Sequence, residues 1–347
     1  MKFNVSSTIQ ITLATVGSLI CTSLATAAAP VINHPYTLSV FAKSGTGYSQ
    51  PDSIVQWNNS IIIGFQNHVA KDGTDGKSST IVQYSLKGAV QRTFSVPGHN
   101  DGLRVVGEKD LWCLQNEDAN PNLVVIDLES GHQTLYKFAP TVHQGGFDDM
   151  VVVGGDVYMT ASNPTLVGAA QINVYPALVR ATLSGGMVAV TPVVYGNAKA
   201  TDIATGASVT LNLTDPDSLT IDPRGNIVLD DQADGVLVFI KNVASTQRVV
   251  GSLTLSPPGV TIDDTGFAPG PQSFLLVTDV AGDTVYRIDN TLFGFEPGAA
   301  YSASDTQGFV ATLNLDTGLL TPIATGFGSA RGLLFVKTGE DSGDGGN

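Results

Sequence analysis

The chain has 347 residues, 38 of them glycine and 17 proline, and 14% are charged; this Gly-rich, moderately apolar profile excludes a disordered chain. A net charge of −14 excludes nucleic acid as a partner, because that binding needs clustered Lys and Arg. Two cysteines, Cys21 and Cys113, exclude a disulfide framework.

Residues 1–27 read as an export signal. Lys2 supplies the charge, Ile9 to Leu24 the diluted apolar stretch, and Ala25-Thr26-Ala27 the small-residue cleavage site. The apolar stretch is too short and interrupted for stable membrane insertion, so the mature protein is expected to be secreted or periplasmic. Only Cys113 then remains, in an apolar strand, where it reads as a small core residue.

From residue 30 to 338 the chain repeats one unit: an Asp at the mouth of a short apolar strand, a turn, a second apolar strand and a polar exit. Asp52, Asp101, Asp149, Asp217 and Asp264 open the units, and Arg331 stands at the sixth place. Asp52 to Asp101 is 49 residues, Asp101 to Asp149 is 48 and Asp217 to Asp264 is 47. The other two steps are 68 and 67, one period plus an insertion of about 20 residues. Second strands align as Ile61-Ile62-Ile63, Leu111 to Leu114, Val157-Tyr158-Met159, Ile227-Val228-Leu229 and Phe274 to Val277. No long amphipathic helical pattern occurs after residue 30. The mature chain is therefore read as all-β, and four strands per period of about 40–50 residues is the pattern of a β-propeller blade.

The first blade adds Ile81 to Leu86 and Arg92 to Val96, and the second Leu123 to Asp127 and Thr134 to Tyr136. The first blade's Gln66–Ser79 loop contains Asp72-Gly73-Thr74-Asp75-Gly76 but lacks the acids of an EF-hand, so it is a flexible turn. The third adds Ala177 to Ala181, Val188 to Val190 and an insertion, 200–213, read as a hairpin about Thr205-Gly206. The fourth adds Val236 to Ile240 and Val249 to Leu253. The fifth is read with Phe274 to Val277 and Val285 to Ile288 as its second and third strands, then an insertion over 291–308, then Val310 to Asn314 and Leu319 to Ile323. The N-terminal strand Tyr36 to Ala42 is expected to complete the sixth blade beside Arg331 to Val336, with the insertion helping to fill it. Six blades are expected, and five with extra strands is the alternative. The Gly/Asp-rich tail, 339–347, is expected to be disordered.

Propeller geometry sets the first-strand entrances and second-strand exits on one channel face. Asp52, Asp101, Asp149, Asp217, Asp264 and Arg331 would form the inner ring, with Asn67, Asn116, Glu117, Asn163, Asp231 and Asp279 outside it. Converging carboxylates repel, so the ring calls for a cation, a shared proton, hydrogen-bond donors or Arg331. Oxygen ligands suit Ca²⁺ or Mg²⁺ over zinc. An Asp at a strand entrance also caps its own turn, which would repeat for structural reasons alone. Of the histidines, His68, His99 and His143 fall in loops of the acidic face, and His beside carboxylate is a natural proton acceptor. There is no Gly-x-Ser-x-Gly elbow, Walker loop or His-Glu-x-x-His.

The run Pro-Asp-Ser-Leu-Thr-Ile-Asp-Pro-Arg-Gly-Asn at 216–226, Thr-Asp-Val-Ala-Gly-Asp-Thr-Val-Tyr-Arg-Ile at 278–288 and Ala-Arg-Gly-Leu-Leu-Phe-Val at 330–336 resemble the secreted six-bladed propellers of the NHL and SMP-30/gluconolactonase-like superfamily. The resemblance implies a divalent cation at the channel mouth on Glu, Asn and Asp ligands. Asp217, Asp264, Asn116 and Asn163 stand at matching blade positions, and Asp52 stands where the family has an early Glu. Asp101, Asp149, Asp217, Asp264, Asn116 and Asn163 form the expected metal set, and calcium is the expected ion. His99 or His143 would move a proton, and Arg331 would hold an acidic group of a small-molecule ligand. The expected function is cation-dependent hydrolysis of a lactone or ester; the alternative is a non-catalytic propeller that binds a ligand or a protein.

Overall fold

Four of the central strands are almost wholly buried runs: Ser60–Phe65, Asp110–Gln115, Ile227–Asp231 and Ser273–Asp279. A strand covered on both faces needs no polar alternation, whereas the outlying Gln133–Phe138 alternates exposed and half-buried residues because one face meets water. This contrast places each second strand between neighbouring blades and each fourth strand at the rim. The computed structural model describes residues 29–337; the export signal and the tail fall outside the described residues. All regular structure in that span is β-strand, and no helix of the described residues is long and apolar enough to cross a membrane.

Antiparallel pairing gives six four-stranded units. The first holds Pro51–Trp57, Ser60–Phe65, Ser78–Ser85 and Val90–Pro97. The second holds Asn100–Val106, Asp110–Gln115, Asn122–Asp127 and Gln133–Phe138. The third holds Met150–Val153, Asp156–Thr160, Pro176–Ser184 and Met187–Tyr195. The fourth holds Pro216–Ile221, Ile227–Asp231, Val236–Lys241 and Val249–Thr254. The six first strands touch in sequence and the last meets the first, so they close a ring. The core lies between blades: Val55, Ile62 and Phe94 of the first pack on Leu103, Leu111 and Cys113 of the second. Cys113 is a fully buried free thiol.

Two insertions depart from the sequence reading. The hairpin Lys199–Asp202 with Ser208–Thr210 forms as expected, but it lies parallel to Val249–Thr254 and extends the fourth blade, not the third. The larger departure joins blades five and six. The fifth blade runs Asp264–Phe267, Ala300–Ser304, Phe309–Leu313 and Leu320–Thr325, with Val31–Ile32 at its rim. The hairpin Ser273–Asp279 with Thr284–Asn290 instead belongs to the sixth blade. It sits between the inner strand Ala330–Lys337 and the outer strand Tyr36–Lys43. The N-terminal strand thus joins the sixth blade, but at its rim rather than beside Arg331. Residues 300–304 read Ala-Tyr-Ser-Ala-Ser, a run of low strand propensity that burial between neighbours makes a strand.

Candidate metal centre

Each first strand is entered through the same four-residue pattern: a lead residue, the ring residue, a small residue or Asp, then an apolar residue or, in the fifth blade, Thr265. In chain order the pattern reads Pro51-Asp52-Ser53-Ile54, Asn100-Asp101-Gly102-Leu103, Phe147-Asp148-Asp149-Met150, Pro216-Asp217-Ser218-Leu219, Ile262-Asp263-Asp264-Thr265 and Ala330-Arg331-Gly332-Leu333. Pairing is irregular at this step in the first, second, fourth and sixth blades, and such a bulge re-aims a side chain. The ring is therefore Asp52, Asp101, Asp148, Asp217, Asp263 and Arg331, lining a cavity of about 290 Å³. In the second and sixth blades the third place must be glycine: a Cβ on Gly102 would lie 2.4 Å from the Asp148 carbonyl oxygen, and one on Gly332 2.5 Å from that of Asp52.

Asp149 and Asp264 occupy that third place. Their carboxylates reach sideways to the next blade: Asp149 accepts the Leu219 N–H at 3.0 Å, and Asp264 accepts the Leu333 N–H at 2.7 Å. They clamp neighbouring inner strands and do not join the converging ligand set. Two doublets, Asp148-Asp149 and Asp263-Asp264, hid this one-residue difference in the sequence.

Asn116 and Asn163 also stand apart from that set. Both are left-handed, with φ of 67° and 47°, a conformation Asn tolerates better than most residues. Asn116 accepts the His99 N–H at 2.9 Å and donates to the Asn120 carbonyl at 3.0 Å. Asn163 is exposed and donates to the Asp118 carbonyl. Asn67, Asp231 and Asp279 likewise bond loop backbone.

His143 lies outside the channel. Its Nε2 is 2.7 Å from the Gly146 carbonyl, its ring meets Phe147, and it lines a separate, mostly apolar cavity with Phe138 and Pro140. Burial lowers its pKa.

The converging atoms centre on Glu117, which follows the second blade's second strand. His99, Asp101 and Glu117 offer ligand atoms within 4.8 Å of one another, and so do Glu117, Asp148 and Asp217. All five residues are buried. Asp101 Oδ1 accepts from Gln66, which also donates to Asp52, while Asp101 Oδ2 and Asp217 Oδ2 have no partner. His99 Nδ1 is 2.8 Å from the Val69 carbonyl. A carbonyl only accepts, so Nδ1 carries a hydrogen, and in the neutral ring Nε2 presents the lone pair. That Nε2 is unpartnered and lies 3.9 Å from Glu117 Oε1.

Charge is poorly balanced here. Arg331 spans Asp52 at 3.4 Å and Asp263 at 3.5 Å, and Lys71 pairs with Glu117. Burial, the largest cause, lifts Asp148, Asp217 and Asp263 well above the carboxylate range. Burial and then Asp101 push Glu117 up to about 7. For Arg331, burial opposes the charge, but Asp52 and Asp263 more than offset it and hold the guanidinium protonated. Of these residues, the sequence reading had Asp101, Asp217, His99 and Arg331 in its site and Asp52 in its inner ring; Glu117 stood only in its outer set, and Lys71, Asp148 and Asp263 were absent from it.

No family model matches the sequence, and no curated protein matches it. Among solved structures, a candidate gluconolactonase aligns with TM-score 0.48 at 11% identity, over 85% of this chain and 83% of its own. Virginiamycin B lyase from Staphylococcus aureus aligns with TM-score 0.46 at 11% identity, over 82% and 73%. A protein of unknown function from Bacteroides caccae gives 0.47 at 10%, over 85% and 89%. Such distant likenesses carry nothing about activity, and the fold rests on the strand pairing above.

Proposed function

We propose that the chain is an exported, divalent-cation-dependent hydrolase of lactones or esters, with the cation seated on Glu117, Asp148 and Asp217. The supporting observation is the buried Asp217 carboxylate, whose Oδ2 has no partner and which offers an oxygen within 4.8 Å of one from each of two further carboxylates. An oxygen-only set suits Ca²⁺ or Mg²⁺. A bound cation would polarise the substrate carbonyl and acidify a water. Asp263, oriented by Gln232 at 3.2 Å, pairs with Arg331 at 3.5 Å and closes the ring beside the proposed seat. Arg331 is committed to Asp52 and Asp263, so it fixes the ring rather than gripping a substrate acid.

The test is metal analysis of the mature protein with calcium-dependent melting, followed by a lactone and ester screen. Asp217→Asn is expected to stay folded and lose both the ion and turnover. Absence of any bound cation and of any melting shift refutes the proposal. A second reading, a non-catalytic ligand-binding propeller, draws on Lys71 and Arg331, which supply internal counter-charge without an ion. Such a protein has no turnover for a chelator to abolish.

A further inference from the structure

We infer that His99, Asp101 and Glu117 form a second cation seat, for a divalent ion that accepts nitrogen such as Mn²⁺, Co²⁺ or Zn²⁺, sharing Glu117 with the oxygen-only seat. The inference rests on the reading that Glu117, Asp148 and Asp217 hold an ion, and it adds a site of different donor chemistry. Imidazole nitrogen with carboxylate oxygen favours transition-type ions over calcium.

The seat is built almost entirely by the second blade. His99 and Asp101 flank the start of its first strand, and Glu117 leaves its second. The Asn116 N–H donates to the His99 carbonyl at 2.7 Å, and the Asn116 side chain accepts the His99 N–H, so the histidine and the glutamate are tied side by side. Packing around this tie is tight: a Cβ on Gly73 or Gly98 would fall 2.4 or 2.5 Å from the Asn116 side chain. The Val69 carbonyl takes the Nδ1 hydrogen, the outer partner that commonly orients a metal-binding histidine and raises its basicity. Gln66 holds one oxygen of Asp101 and leaves the other open. His99 is only 4% exposed and Asp101 6%, so water does not readily satisfy these free atoms. Lys71 meets Glu117 from the 66–77 loop with its side chain 49% exposed, so its ammonium is free to withdraw to solvent when an ion arrives. With the seat filled, His99 is a ligand and not the proton acceptor that the sequence pointed to.

The experiment uses Mn²⁺ on the full mature chain, with and without excess Ca²⁺. Two Mn²⁺ per chain are expected without calcium, and one retained with it. Pulsed electron paramagnetic resonance of the calcium-resistant Mn²⁺ should show coupling to one imidazole nitrogen, a readout that needs no variant. His99→Gln should lose that coupling and weaken this Mn²⁺ at least about tenfold, leaving calcium binding intact, while His68→Gln should change neither. If calcium displaces all Mn²⁺ and no nitrogen coupling is seen, the second seat is overturned while the oxygen-only seat stands. Unchanged Mn²⁺ binding in His99→Gln also overturns it. If neither ion binds, both readings fall.

Discussion

Glu117→Gln is expected to change the sign of its stability effect with cation. Burial and Asp101 raise the Glu117 carboxyl from 4.5 to about 7. A raised carboxyl pKa means that the fold prefers the protonated form. Its contribution is fully present below pH 4.5 and is lost as pH rises through 7. At about 1.4 kcal/mol per pH unit, keeping Glu117 ionised above pH 7 costs at most about 3.5 kcal/mol. Glutamine has nearly the same shape and removes that cost. The Lys71 attraction that it also removes is already contained in that figure, being one of the causes that lower the Glu117 pKa. In chelator at pH 8 the variant should thus be more stable by about 1–3 kcal/mol, or roughly 2–6 °C in Tm, with the gap closing by pH 5. Calcium at a thousand times its Kd would stabilise the wild type by about 4.1 kcal/mol and the variant by almost nothing, so the order reverses. Differential scanning fluorimetry at pH 5 and 8, with chelator or calcium, reads all four states. A variant less stable than wild type in chelator at pH 8, or one with an equal calcium shift, refutes the reasoning.

Arg331→Met strands Asp52 and Asp263 and should cost about 3–5 kcal/mol in urea unfolding at pH 8; the loss should shrink at pH 5, because both carboxyls have raised pKa values and take up protons. Gly102→Ala drives a Cβ against the Asp148 carbonyl oxygen at 2.4 Å and should cost about 1–3 kcal/mol or more. In Gly107→Ala the new Cβ meets open space and the cost comes from a φ of 67° alone, about 1–2 kcal/mol; equal melting of Gly102→Ala and wild type would contradict the close approach. Cys113 is fully buried and burial pushes its thiol up, so a thiol reagent should react only after denaturant is added.

Periodicity carried most of the architecture into the sequence, because a blade's sandwiched second strand must be apolar throughout. Ile61-Ile62-Ile63 and Leu111 to Leu114 could be aligned on that ground alone. The exchange between the last two blades left no such mark. Phe274 to Val277 suits burial in either blade, and only long-range pairing, Leu275 with Phe335 and Leu276 with Leu334, selects the sixth. The ring was legible to within one residue. Where a single Asp stands, as at 101 and 217, the period found it; where two stand together, as at 148/149 and 263/264, the period fits either, and only the tertiary structure decides, by tying Asp149 and Asp264 to the next blade's backbone. Asn67, Asn116 and Asn163 were visible as a series, but the series marks a left-handed exit from the strand. Lys71 lay in a turn-rich loop with no periodic signal, so its place over the channel follows from tertiary structure alone.

The interleaving of the last two blades also bears on how such a ring changes length over evolutionary time. Arrays of similar modules usually gain or lose one by duplication or excision of a single period. Here the order along the chain is fifth, sixth, fifth, sixth: 264–267, 273–290, 300–325 and 330–337. No cut of one period in this region removes a whole blade, and none inserted there adds one. Blade number at this end can change only for the two together, so the exchange acts as a lock on ring size.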